Sequence, residues 1–287
     1  MHKSCRALGL FLIAAALSAP AARAQTACSA PSPECAVVGT WEISASFGLG
    51  QRSNPVVGKP DIPLLVIPHI SYYGKRFFLE NLEAGYTLHD GDANTFSLIT
   101  APGYDRVFFY RHDLQNIFIT DGAGFTTGGS APPAKPTPPA TPADQEFRVS
   151  PRHTTWLAGP EWTFNYGRFT GQLNALREVT GEHDGYEVRA AVAAPLTQSR
   201  GTLVASTGFT WKSREVVRYY YGVGPLYDPG AAFSPFVKLH YSVPLSDRWT
   251  LNAFAHYEHL AGSIANSPIV SENHVTTAFA GAAFRIH

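Results

Sequence analysis

Three histidine–aspartate pairs carry the most obvious chemistry in the chain: His89-Asp90, His112-Asp113 and His183-Asp184. A histidine beside a carboxylate serves acid–base catalysis when a third group completes the arrangement. Each pair falls in a segment that reads as a loop at an outer rim, where a hydrolase or acyltransferase would hold its catalytic groups. Nothing else in the sequence supports that chemistry. There is no Gly-x-Ser-x-Gly elbow, no His-Glu-x-x-His motif and no Cys/His metal spacing. The pairs are therefore read as solvated loop residues, with no cofactor and no metal.

A second set of polar residues recurs at every other position of apolar stretches. It comprises Glu42, His69, Glu83, Glu161, Arg168, Glu187, Arg189, Lys212, Lys238, His240, His256, Glu258 and Arg285. Such positions share the inner face of a strand. Lys238, His240, His256, Glu258, Arg189 and Glu187 form the expected lumen cluster. Both signs are mixed, so two readings stand: a salt-bridged plug, or a narrow polar pore without strong ion preference.

The elements that must position these groups are β-strands. Residues 233–258 show it best. Phe233, Pro235, Val237, Leu239, Tyr241 and Val243 share one face, and Lys238, His240 and Ser242 the other. After a Ser246-Asp247 turn, Trp249, Leu251, Ala253, Ala255 and Tyr257 repeat the apolar face. Alternation of period two around a tight turn predicts an antiparallel hairpin. Tyr241, Trp249 and Tyr257 sit near strand ends with aliphatic residues between them, the pattern of a strand crossing a bilayer between aromatic girdles.

Composition agrees. The chain has 287 residues, zero formal net charge, 25 glycines and a single methionine, and its mean hydropathy is −0.08. Neutral charge argues against a nucleic-acid partner. Residues 1–24 have a basic start, a short apolar run and an Ala22-Arg23-Ala24 site, which predicts a cleaved secretory signal. Residues 25–38 are expected to be a periplasmic segment. Its Cys28 and Cys35 are either a local disulfide, permitted in an exported compartment, or two free thiols. Residues 39–287 contain no apolar run near ~20 residues, which excludes a helical membrane protein.

Strands are expected at 39–50, 64–73, 76–88, 95–101, 104–112, 153–166, 168–177, 186–196, 202–212, 233–243, 249–258 and 274–286. The outward sets include Leu64, Val66, Ile70 and Tyr72 in the second strand and Phe78, Ala84, Tyr86 and Leu88 in the third. Pro68 predicts a bulge or kink. Residues 213–232 read as a long Tyr- and Gly-rich loop. Residues 113–152 hold a Pro-rich stretch that cannot form a sheet and are expected to be an extracellular spacer. Long and short connections alternate, so an even count of twelve leaves both termini periplasmic.

Several pieces resemble the MipA/OmpV family of outer-membrane proteins: YYYGV at 219–223 with Tyr221, Gly222 and Val223, FSPFV at 233–237 with Ser234 and Pro235, and SPIV at 267–270 with Ser267 and Pro268. HDG at 183–185 and the last strand, FAGAAFRI, belong to the same set. The Pro-rich insert departs from the family pattern, as does an end at Phe284-Arg285-Ile286-His287 in place of a terminal aromatic. The resemblance implies a scaffold that tethers a murein transglycosylase and a murein synthase, or for some members an adhesin.

The expectation is an all-β, closed antiparallel transmembrane barrel of about twelve strands in the outer membrane. Outer-membrane lipid and lipopolysaccharide would surround it. Its function reads as a non-enzymatic scaffold of the cell envelope. The alternatives are a passive small-solute channel, an adhesin, or an enzyme at the rim.

Overall fold

In the computed structural model, which describes residues 38–110 and 151–286, alternating side chains wrap into one closed antiparallel barrel of twelve strands. The strands are β1 (Trp41–Arg52), β2 (Ile62–Tyr73), β3 (Phe77–Glu80), β4 (Glu83–Asp90), β5 (Asn94–Pro102), β6 (Trp156–Tyr166), β7 (Phe169–Glu178), β8 (Tyr186–Thr197), β9 (Thr202–Lys212), β10 (Ala232–Pro244), β11 (Trp249–His259) and β12 (His274–Arg285). Each pairs with its sequence neighbours, and β1 closes on β12 with Leu49 opposite Ala280. Closure leaves no open sheet edge to face lipid. The signal peptide, Cys28, Cys35, His112-Asp113 and the Pro-rich stretch lie outside the described residues.

The exterior is apolar. Leu49 is 77% exposed, and Leu239, Val237 and Leu251 also stand outward. Aromatic rings bracket this belt. Trp41, Tyr166, Tyr241 and Trp249 lie at the end with the short turns, and Trp156, Tyr186, Phe233 and Tyr257 at the end with the long loops. The hairpin register is as expected: Lys238 pairs with His256 and Ser242 with Asn252 inside, Leu239 with Ala255 outside.

Three expectations are corrected. Residues 76–88 are not one strand. Asn81 takes φ 52°, a left-handed conformation that asparagine tolerates better than most residues. With Leu82 it turns the chain so that Glu80 pairs with Glu83. Its Oδ1 accepts the Ile70 N–H at 3.0 Å and its own N–H donates to the Ile70 carbonyl at 2.7 Å, which pins the turn to β2. Phe78 consequently points inward, over Gly85, against Ile99, Leu157 and Leu176.

Residues 104–110, the described part of the expected strand 104–112, do not form a strand either. Tyr104–Phe108 is a 3-10 helix folded into the barrel mouth. One strand gained and one lost keep the count at twelve but move residues 91–93 to the short-turn end, where Ala93 accepts the Asn165 N–H at 2.8 Å.

The third correction is Leu64, which is fully buried on the inner face. Between Phe47↔Val66 and Gly50↔Leu64 the pairing shifts. Leu65 faces Gly48 and Leu49 there, and the bulge flips every side chain beyond it. Pro68 pairs regularly with Ala45.

Candidate functional site

The lumen is stratified, and its top layer is a lid. Residues 214–221, expected as loop, form helix α1 (Arg214–Tyr221). Val216, Val217, Tyr220 and Tyr221 lie on one side at helical spacing and are buried. Arg214 and Arg218 face out and both pair with Asp228. A short second helix, α2 (Gly262–Ala265), brings Ile264. Together with Val56, Val107, Phe108, Phe109, Ile269 and Val270 these residues form the largest hydrophobic cluster among those described. Arg152 ties the layer together, donating from Nη2 and Nε to the Tyr220 carbonyl at 3.1 and 3.2 Å, with its guanidinium beside the rings of Phe109 and Tyr219.

Under the lid lies a charged layer around a void of about 50 Å³. Arg52, Arg189 and Lys212 face Asp105, Glu187 and Glu258 across it, three cations against three carboxylates. Lys212 Nζ sits 2.6 Å from Asp105 Oδ2, and the Tyr221 hydroxyl donates to Asp105 Oδ1 at 2.6 Å. Arg189 donates to Glu187 at 2.9 Å and packs on the Tyr104 ring. Burying charge is tolerable only when it is paired and hydrogen-bonded, and the Asp105–Lys212 and Glu187–Arg189 pairs meet that condition.

An apolar layer follows. Phe254 and Phe279 stack at 5.8 Å and pack with Ile62, Leu64 and Ile67. The Phe279 ring fills the space above Gly48 and Gly281, where a Cβ would meet it at 2.7 Å. Lys238 Nζ lies 5.7 Å from the Phe254 ring, and Phe236 packs on His256.

Below this floor the lumen opens toward the short-turn end as a cavity of about 260 Å³. Its walls carry Ser44, His69, His240, Ser242 and Asn252, and its rim Glu42, Asp247, Arg248 and Arg285. Arg285 Nε is 3.4 Å from Glu42 Oε1.

The residues of the expected lumen cluster are divided by depth. Glu187, Arg189 and Glu258 belong to the charged layer, Lys238 and His256 to the middle, and His240 to the cavity. Arg168 sits in the β6–β7 turn, exposed, against the Phe169 ring. Arg52 and Asp105 were missed. Arg52 continues the inward parity of β1 past the point where Pro and Gly suggested a loop, and Asp105 arrives from a segment read as strand.

The two described histidine pairs do not converge. His89 is exposed at the short-turn end, while His183 lies at the long-loop end. Asp184 faces Arg177 at 3.8 Å and not the imidazole beside it. The His183 loop is wound on Glu178, whose carboxylate accepts backbone N–H groups of Thr180, Gly181, Glu182, His183 and Asp184 at 2.5 to 3.2 Å. His183 Nδ1 accepts the Gly185 N–H at 3.0 Å, and its ring packs on Tyr219 and Tyr220. Burial there pushes the imidazole below its ordinary value and so favours its neutral form.

Three of the sequence pieces that carried the family resemblance meet in the lid. Ser267 Oγ donates to the Tyr221 carbonyl at 2.7 Å. Gly222 caps α1, Val223 joins the hydrophobic cluster, and Ser234 Oγ accepts the Ala261 N–H at 3.3 Å. Pro235 and Pro268 face outward.

A closed barrel with an apolar, aromatic-girdled exterior and a lumen filled from one end defines an outer-membrane barrel. The chain belongs to the family described as MltA-interacting protein MipA, which matches residues 45–286. The Escherichia coli (strain K12) protein named "Putative outer membrane protein YiaT" is 23% identical over 253 residues, covering 85% of this chain and 91% of that one. The MltA-interacting protein of the same strain is 24% identical over 247 residues, covering 81% and 85%. The anion-selective porin from Comamonas acidovorans overlays 86% of this chain and 99% of that one at 9% identity, with a TM-score of 0.33. The chain is an outer-membrane protein of the MipA family.

Proposed function

We propose that this protein is a non-enzymatic scaffold of the outer membrane. Its termini and short turns stand in the periplasm, and that end holds a murein-remodelling partner. One observation carries the reading: among the described residues the long-loop mouth is stoppered by a hydrophobic lid over a charge-balanced layer, which disfavours free passage of solutes. The name of the MltA-interacting relative supports the partner class, a murein transglycosylase, with a murein synthase as a second partner. The girdled exterior is suited to outer-membrane lipid and lipopolysaccharide. The described turns that would meet partners are those at 74–76, 91–93, 167–168, 198–201 and 245–248, and the N-terminal segment is the further candidate.

The test is photocrosslinking in intact cells. Probes at Asp247 or Arg200 should capture a murein enzyme, whereas probes at Asp228 or Asn266 should not. In planar bilayers the purified protein should show little steady conductance. Discrete, reproducible current steps together with no capture from the short turns would make the passive channel the better reading.

A further inference from the structure

We infer that the cavity at the short-turn end is a binding site for a small zwitterion with an apolar side chain, of dipeptide size. The pocket is a blind vestibule. Its floor is the Phe254–Phe279 stack, and about 260 Å³ lies between that floor and the rim, close to the lower end of small-molecule sites, at roughly 300 Å³.

Its chemistry is graded along its depth. The floor is aromatic and aliphatic, the walls carry hydroxyl, amide and imidazole groups, and the rim is charged. At the rim, two carboxylates, Glu42 and Asp247, stand with two guanidinium groups, Arg248 and Arg285. Their charges cancel, so neither a bare anion nor a bare cation is favoured. A solute bearing both signs is matched. The Arg248 carbonyl accepts the Arg285 N–H at 2.9 Å, so the two arginines leave neighbouring backbone positions and can fork a single carboxylate. Glu42 beside Arg285 and Asp247 beside Arg248 then receive the ammonium group. The apolar side chain goes inward, to the phenylalanine floor. Asp247 and Arg248 are exposed and Glu42 and Arg285 partly so, leaving the charges reachable from solvent.

The experiment is calorimetric titration of the full chain in detergent with alanylphenylalanine. One saturable site is expected. The same dipeptide acetylated at its amine and amidated at its carboxylate should bind at least tenfold more weakly. Arg248→Gln and Arg285→Gln should each weaken the free dipeptide at least tenfold. Arg248 lies in an exposed turn, so its variant remains informative if Arg285→Gln fails to assemble, which heat-modifiable gel mobility reports. No saturable heat at millimolar dipeptide, or equal affinity for the free and blocked forms, would overturn the inference. The readout needs no protein partner, so failure of the scaffold reading leaves it standing.

Discussion

The two ends of the barrel are built from the same strands and are finished in opposite ways. At the long-loop end, α1, α2 and the 3-10 helix carry enough apolar side chains to bury one another, and they fold inward as a dry lid. At the other end the turns are two to four residues long and have nothing to fold in, so the inward polar residues stay wet around a cavity. Loop length and amphipathicity therefore decide which half of a lumen becomes core. The charges differ accordingly. Asp105 and Lys212 are paired and almost completely buried, whereas Glu42 and Arg285 retain 34% and 23% exposure.

That contrast is open to direct attack. Asp105→Ala removes the carboxylate that pairs with the Lys212 ammonium and accepts the Tyr221 hydroxyl in a buried layer, and should cost about 3–5 kcal/mol. Glu42→Ala at the wet end should cost about 1 kcal/mol or less. Urea midpoints of refolded protein measure both, and equal losses would mean that the two ends do not differ in kind. Inside and outside of the wet end are separated by a neighbouring pair. Ala253→Arg places a cation in the lipid belt at a cost of about 2–4 kcal/mol, while Asn252→Arg points into the cavity and should assemble near normally, as outer-membrane yield would report. Similar yields would put the register of β11 in error by one residue.

Smaller changes probe the lid alone. Ser267→Ala removes the bond that ties residues 267–270 to the end of α1. It should weaken the lid by about 1 kcal/mol, seen as faster amide exchange at Val216 and Val217 with the barrel midpoint unchanged. Exchange spread evenly over the strands would show that the lid is no separate unit.

The smallest expected effect is that of pH. The folded lid holds His183 below its ordinary value, so the unfolded lid binds the proton more readily. Lid stability is then full above about pH 6.5 and falls as pH drops from there through the folded value. The protection factor at Val216, with intrinsic exchange divided out at each pH, should fall between pH 7.5 and 5, and His183→Gln should flatten that response.

The sequence alone was enough to establish that this is a membrane barrel, because period-two alternation with aromatics at strand ends has few other physical meanings. It also determined which residues of 233–258 face inward, since a strand has only two faces and lipid permits one assignment. Leu64, Phe78 and His89 went wrong for a single reason. A bulge or a two-residue turn costs only one or two residues in sequence, but it flips a face or moves a loop to the opposite end. The lid was legible only in fragments. Residues 219–223, 233–237 and 267–270 stood out as family pieces, but nothing in their spacing said that Ser267 would meet Tyr221. Asp105 was unreadable, because a lone carboxylate in an aromatic segment becomes a buried anion only when Lys212 and Tyr221 are brought to it from across the barrel. Tertiary structure alone could make that decision, since the stability of a buried charge depends on partners that are distant in the chain.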